Sequence, residues 1–118
     1  MNNEKEYSLV IAIINKGFTD LVMEAAKNAG ARGGTTFTAR GTGNKELGEF
    51  FGIAIQPEKE IVFILVEDQI KDKVLLQIYK DAGLDTKGSG IAFSIKVNDV
   101  VGLTPIEKEI ENLKKEIE

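Results

Sequence analysis

Two glycine triplets carry what binding chemistry this chain offers. Gly41-Thr42-Gly43 and Gly88-Ser89-Gly90 each let the backbone turn tightly and approach a ligand, with N–H groups free to hold an anion. Neither ends in the Lys-Ser/Thr of a P-loop, and neither has the spacing of a dinucleotide fingerprint. An ordinary hairpin or bulge turn has the same composition, so each triplet alone decides little. Their parallel placement, one in each half of the chain, points to a shared cleft. The acids are scattered: Glu46 and Glu49 follow the first triplet, and Glu58, Glu60, Glu67 and Asp68 flank an apolar run. Two carboxylates can hold a hard cation, but this scatter suits a solvated face better. The chain has no histidine and no cysteine. That excludes disulfides, thiol nucleophiles and thiolate metal sites, and removes the commonest general base. No Ser or Thr has a histidine to activate it. The expectation is a binding protein and not an enzyme. A small enzyme with an unrecognised carboxylate/lysine site and a purely structural oligomer are the alternatives.

At 118 residues the chain is sized for one domain. Its formal net charge of -4 argues against nucleic acid as a partner, since phosphate contacts need clustered Lys and Arg. The start, Met1-Asn2-Asn3-Glu4-Lys5-Glu6, is charged and precedes only a short apolar run, unlike a signal peptide or a membrane span. A cytoplasmic location is expected.

The elements that must position the triplets follow from periodicity. The run 7–14, apolar and rich in branched residues, predicts a strand covered on most of both faces. After a turn at Asn15-Lys16-Gly17, the segment 20–29 predicts a helix with Leu21, Val22, Ala25 and Ala29 on its apolar stripe. Gly30 stands where a helix stops with positive φ. A Thr/Phe strand is predicted over 35–40. A third strand covers 60–66, and a second helix covers 69–82 with Val74, Leu75, Ile78 and Tyr79 as its stripe and Gly83 as its stop. A fourth strand over 91–97 alternates Ile91, Phe93, Ile95 and Val97 against Ala92, Ser94 and Lys96. Residues 104–118 predict a charged amphipathic helix. Thr104 is its N-cap, Pro105 its first residue and Glu107 closes a capping box; Ile106, Ile110, Leu113 and Ile117 form its stripe.

Lys27-Asn28-Ala29-Gly30 is repeated as Lys80-Asp81-Ala82-Gly83. Each tetrapeptide ends a helix that follows an Ile/Val strand and precedes glycines and another strand. Two strand-helix-strand units in tandem make an α+β, ferredoxin-like split β-α-β fold. It has a four-stranded antiparallel sheet with two helices on one face, to which the C-terminal helix is added. Residues 1–103 form the domain proper, and 104–118 are its C-terminal amphipathic helix. The strands are too apolar for a wet second face, so a second subunit is expected there. Between the halves, the stretch with Asn44, Lys45, Glu46, Glu49, Phe50 and Phe51 is the candidate partner-binding loop. Adjacent phenylalanines point in different directions, which leaves one for a subunit contact or a partner surface.

This order of elements resembles the PII nitrogen-regulatory signalling proteins over roughly 7–103. The anchors are Ile13-Ile14-Asn15-Lys16, the span from Gly30 to Gly43, Pro57 with the strand after it, Gly88-Ser89-Gly90 followed by Phe93, and Asp99-Val100-Val101. The resemblance implies a homotrimer that senses a small-molecule effector, an adenine nucleotide in clefts between subunits. It also implies a flexible loop that docks on a regulated membrane transporter or enzyme. Thr35, Gly41 and Gly43 stand where the family places the second strand and loop base around the nucleotide. Ile64 stands beside the adenine, and Gly88, Ser89 and Gly90 match the turn that holds it. Ser89 replaces an aspartate, Ile91 a phosphate-binding lysine, and Gly102 and Thr104 two phosphate-binding arginines. Lys45 replaces a glutamine used with magnesium and 2-oxoglutarate, and Glu58 a loop-base lysine. The loop is shorter and lacks the tyrosine that some members modify. With those cations gone, weak ATP binding or none is expected, and no resident cofactor is certain.

Overall fold

A computed structural model describes residues 6–41, 58–86 and 88–103. The predicted C-terminal helix lies outside the described residues. In chain order the elements are β1 (Tyr7–Asn15), α1 (Thr19–Asn28), β2 (Thr35–Arg40), β3 (Glu58–Glu67), a 3-10 turn (Asp68–Ile70) that runs into α2 (Lys71–Asp81), and β4 (Gly90–Val97). The strands form one sheet in the order β2-β3-β1-β4. Every neighbouring pair is antiparallel, with Val10 opposite Ile64 and Ser94, and Thr36 opposite Val62. This is the α+β ferredoxin-like arrangement that the repeat predicts.

Strand parity divides the sheet into two faces. On one face Val10, Ala12 and Ile14 of β1 and Val62, Ile64 and Val66 of β3 are buried against Val22, Ala25 and Ala26 of α1 and Val74 and Ile78 of α2. Small side chains on α1 let the helix come close to the sheet, and the branched strand residues fill the remaining space. The α1 stripe is Val22, Ala25, Ala26 and Ala29, one position away from the sequence expectation, and Leu21 is exposed. Tyr79 is likewise exposed at the edge of the α2 stripe. Residues at i, i+3, i+4 and i+7 face one way, and that rule selects Ala26 over Leu21 despite its smaller side chain.

The repeated tetrapeptide is a helix stop used twice. After α1, the Ala31 N–H donates to the Ala26 carbonyl (2.9 Å) and the Gly30 N–H to the Lys27 carbonyl (3.0 Å). After α2, the Leu84 N–H donates to the Tyr79 carbonyl (3.1 Å). Gly30 and Gly83 take φ of 109° and 73°. These are Schellman-type ends, in which the residue past the last turn adopts positive φ and the following N–H reaches back five residues. The motif therefore ends both helices and returns the chain toward the sheet.

Gly90 is the tightest point in the sheet. It enters β4 with φ 148° opposite Ile14, and a Cβ there would lie 2.4 Å from the Ile13 carbonyl oxygen and 3.1 Å from Ile14 Cα. Both obstacles are backbone, so the strand would have to move. Gly17 also has positive φ (97°), but a Cβ there meets nothing within 4 Å. Gly90→Ala is therefore expected to cost about 2 kcal/mol or more, and Gly17→Ala about 1 kcal/mol, from backbone strain alone. Urea unfolding of the two variants measures the difference, and equal costs would contradict the close approach.

Candidate functional site

The second face of the sheet carries no helix among the described residues. Leu9, Ile11 and Ile13 of β1 stand beside Leu65, Phe63 and Ile61 of β3 and beside Ile95, Phe93 and Ile91 of β4. Phe37 of β2 meets Phe63 edge-on, with ring centroids 5.0 Å apart and planes at 86°. Ile91 and Ile95 remain 58% and 50% exposed. An apolar surface of this extent, continuous across four strands, marks an interaction face. The alternation predicted for β4 is present, and its large side chains point to this open face.

At one end of that face Gly41 and the Gly88-Ser89-Gly90 turn are linked through two side chains. Gly41 follows β2, and a Cβ on it would lie 3.0 Å from Lys59 Cε and 3.1 Å from Lys59 Cγ, so the lysine stem runs directly against the glycine. The Lys59 ammonium donates to Asn15 Oδ1. The Asn15 amide in turn donates from Nδ2 to the Gly88 carbonyl at 3.3 Å. The neighbours fix the amide orientation, since an ammonium only donates and a carbonyl only accepts. Lys59, Asn15 and the Gly88-Ser89-Gly90 turn thus form one chain of contacts from the base of the inter-half loop to β4. Within the turn, Gly88 has φ 81° and the Ser89 N–H donates to the Thr86 carbonyl at 3.2 Å. That N–H, expected from the sequence to be available for an anion, is engaged in its own turn.

Thr35 lies elsewhere. It opens β2 opposite Phe63, whereas Arg40 at the other end of the strand is opposite Glu58. At about 3.3 Å per residue, Thr35 and Gly41 are roughly 20 Å apart along the sheet. Thr35 lines a groove of about 700 Å³ together with Tyr7, Gly33, Phe63, Leu65 and Leu103. Ile64 is the residue expected beside a ligand. It is fully buried on the helix side of the sheet, where a Cβ on Gly34 would come within 3.1 Å of its Cγ1. Even-numbered β3 residues face the helices, so Ile64 supports the Gly34 loop from beneath and has no free surface. Gly43 and the loop residues Asn44, Lys45, Glu46, Glu49, Phe50 and Phe51 lie outside the described residues, as does Thr104. Ile91 is on the open face, and Gly102 has φ 101°.

Lys59 was not singled out from the sequence, and Asn15 was read only as a turn residue and an anchor of the resemblance, although parity could have found both. Counting back in twos from Phe63 places Lys59 on the open face, and counting forward from Ile13 places Asn15 there. Their antiparallel pairing is a tertiary fact.

The acids at this end are committed to the opposite face. Glu58 Oε2 pairs with Lys16 Nζ at 2.9 Å, and Glu60 Oε1 accepts from the Gly17 N–H at 2.6 Å. The Lys16 hydrogen bond and charge hold the Glu58 carboxyl below the usual range, and the same contact raises Lys16. The Gly17 N–H lowers Glu60. Among the described residues, no group of three or more acidic, histidine or cysteine side chains could hold a metal ion. A carboxylate whose folded pKa is depressed contributes stability above its unfolded value and loses it as the pH falls through the folded value. Glu60→Gln is expected to be less stable than the parent at neutral pH, and the gap should close as the pH falls below about 4.5, the ordinary glutamate value. Urea midpoints measured across that range check it; a gap independent of pH would rule out the ionised hydrogen bond.

Comparison with known proteins places this geometry. No curated protein sequence matches. Among solved structures, the PII protein of Arabidopsis thaliana bound to citrate superposes with a TM-score of 0.65 and 25% sequence identity over 84% of each chain. The family model "Nitrogen regulatory protein P-II" matches residues 7–107. The four-stranded sheet, the paired helix stops and the Gly88-Ser89-Gly90 turn all fall inside that span, and the chain belongs to the nitrogen regulatory protein P-II family.

Proposed function

We propose that this chain is a PII-type regulatory protein that works as a homotrimer, holds a small effector between protomers and modulates a partner transporter or enzyme. Its family consists of signal transducers that sense small effectors and act on partner proteins, without catalysis of their own, typically in the cytoplasm. The observation that carries the reading is the split site. The Thr35 groove and the Lys59–Asn15–Gly88 cluster lie at opposite ends of one sheet, too far apart for one small ligand. Both border the open apolar face. Packing that face against a second copy brings one protomer's groove toward its neighbour's glycine turn and covers Phe37, Phe63, Phe93 and Ile95. Threefold closure follows from the family. The stretch 44–51, outside the described residues, is the proposed partner contact.

The effector chemistry is anionic in this reading. The PII relative was solved with citrate, a polyanion, and the family binds adenine nucleotides. This chain has Ile91, Gly102 and Thr104 where the family has phosphate-binding cations. Charge-assisted hydrogen bonds are worth roughly 1.5–3 kcal/mol each. Losing two of the three weakens a triphosphate by a factor of about a hundred or more, since about 1.4 kcal/mol is tenfold. Titration calorimetry is expected to show weak ATP binding with no strong preference over ADP. Micromolar, magnesium-dependent ATP affinity would contradict the argument. Sedimentation is expected to give a trimer; a concentration-independent monomer would remove the intersubunit cleft.

A further inference from the structure

We propose that residues 104–118, which lie outside the described residues, dock as an amphipathic helix in the Thr35 groove of their own chain and close it. The docking is independent of the effector reading. Its consequence, that an effector must displace the segment, rests on that reading.

Three observations converge on this occupant. The first is where the described chain ends. Leu103 already lines the groove with Tyr7, Leu9, Thr35 and Leu65. It is nonetheless 48% exposed, and Val101 58%. Two apolar side chains thus stand half bare at the point where the chain continues. The segment after Leu103 needs no linker to reach the groove. Tethering of this kind gives an effective concentration in roughly the millimolar range, far above that of a free partner.

The second is the pattern of the segment. Ile106, Ile110, Leu113 and Ile117 repeat at intervals of four, three and four, the spacing of one narrow helical stripe. Thr104 and Pro105 are start signals, so the first turn follows Leu103 directly. At 1.5 Å per residue, Ile110 is roughly 10 Å along the chain from Leu103. Ile106 and Ile110 therefore come to the groove first. A helix this short is marginal alone in water and needs its stripe buried. The apolar groove of about 700 Å³ offers that burial.

The third is charge. The groove's charged residues are Arg32 and Glu67. Glu67 accepts from Gln69 Nε2 at 2.8 Å, whereas Arg32 is exposed and makes no ion pair among the described residues. The segment carries five glutamates against three lysines. On a helix Glu109 and Glu116 share one flank of the apolar stripe. That flank is the acidic partner that Arg32 lacks.

The chain has no cysteine, so introduced pairs report the docking directly. Full-length Leu65→Cys/Ile110→Cys is compared with a control, Leu76→Cys/Ile110→Cys, whose Leu76 is 53% exposed on α2. Both are oxidised at high dilution with copper phenanthroline and resolved on non-reducing gels. The groove pair is expected to form an intrachain disulfide about tenfold faster than the control, or more. Thr35→Cys takes the place of Leu65→Cys if that variant does not fold. Arg32→Glu should slow the cross-link, and Glu109→Arg with Glu116→Arg should restore it. Equal rates in the two pairs overturn the docking. Disulfides formed only between chains also overturn it, and assign the groove to a second copy. Thermal-shift titration with adenosine tests the consequence. Ile110→Glu, which undocks the segment, should raise the apparent adenosine affinity about fivefold or more over wild type. Equal affinities alongside a fast cross-link overturn the displacement. No adenosine response in either protein removes the effector reading of the groove and leaves the docking standing.

Discussion

The antiparallel pairing of β1 with both β3 and β4 is the constraint on which the rest of this structure depends. β1 is the central strand that joins the two halves, and its register places every other side chain on one of two faces. On one face Val10, Ala12 and Ile14 close a core with the two helices. On the other, Leu9, Ile11 and Ile13 run through a surface that stays apolar and open. A slip of one residue would exchange the two sets. Gly90 prevents that slip at its tightest point, since no other residue type could cross the Ile13 carbonyl so closely.

The same pairing creates the functional end of the sheet. Asn15 terminates β1, Lys59 stands near the start of β3, and the Gly88 turn precedes β4; each comes from a different part of the chain. Their contacts bridge the base of the inter-half loop and the turn before the last strand. The pairing of Glu58 with Lys16 lies on the other side of β3, toward the helices.

The membership in the P-II family and the departures from it are equally informative. The sheet, the helix stops and the glycine turn are family features whose physical reasons are local: positive φ, close backbone approach and strand parity. Ile91, Gly102 and Thr104 are features of this chain.

The fold was legible because its determinants are local. The tetrapeptide Lys-Asn/Asp-Ala-Gly, repeated after each Ile/Val strand, announces two identical helix stops, and the alternation in 91–97 announces a two-faced strand. The α1 stripe was legible except for one member: at 100° per residue Leu21 and Ala26 lie about 140° apart, and the core takes the Ala26 side. The site was less legible. Ile64 reads as an apolar wall in sequence and is a core residue in space, because parity is decided by the partner strands. Lys59 and Asn15 are 44 positions apart and unremarkable alone. The sequence by itself determined the order of elements and the helix ends, which depend on neighbours a few residues away, and the absence of histidine and cysteine. Only the tertiary structure decided which face each strand residue occupies and which charges meet, because those follow from long-range register, which no local pattern encodes.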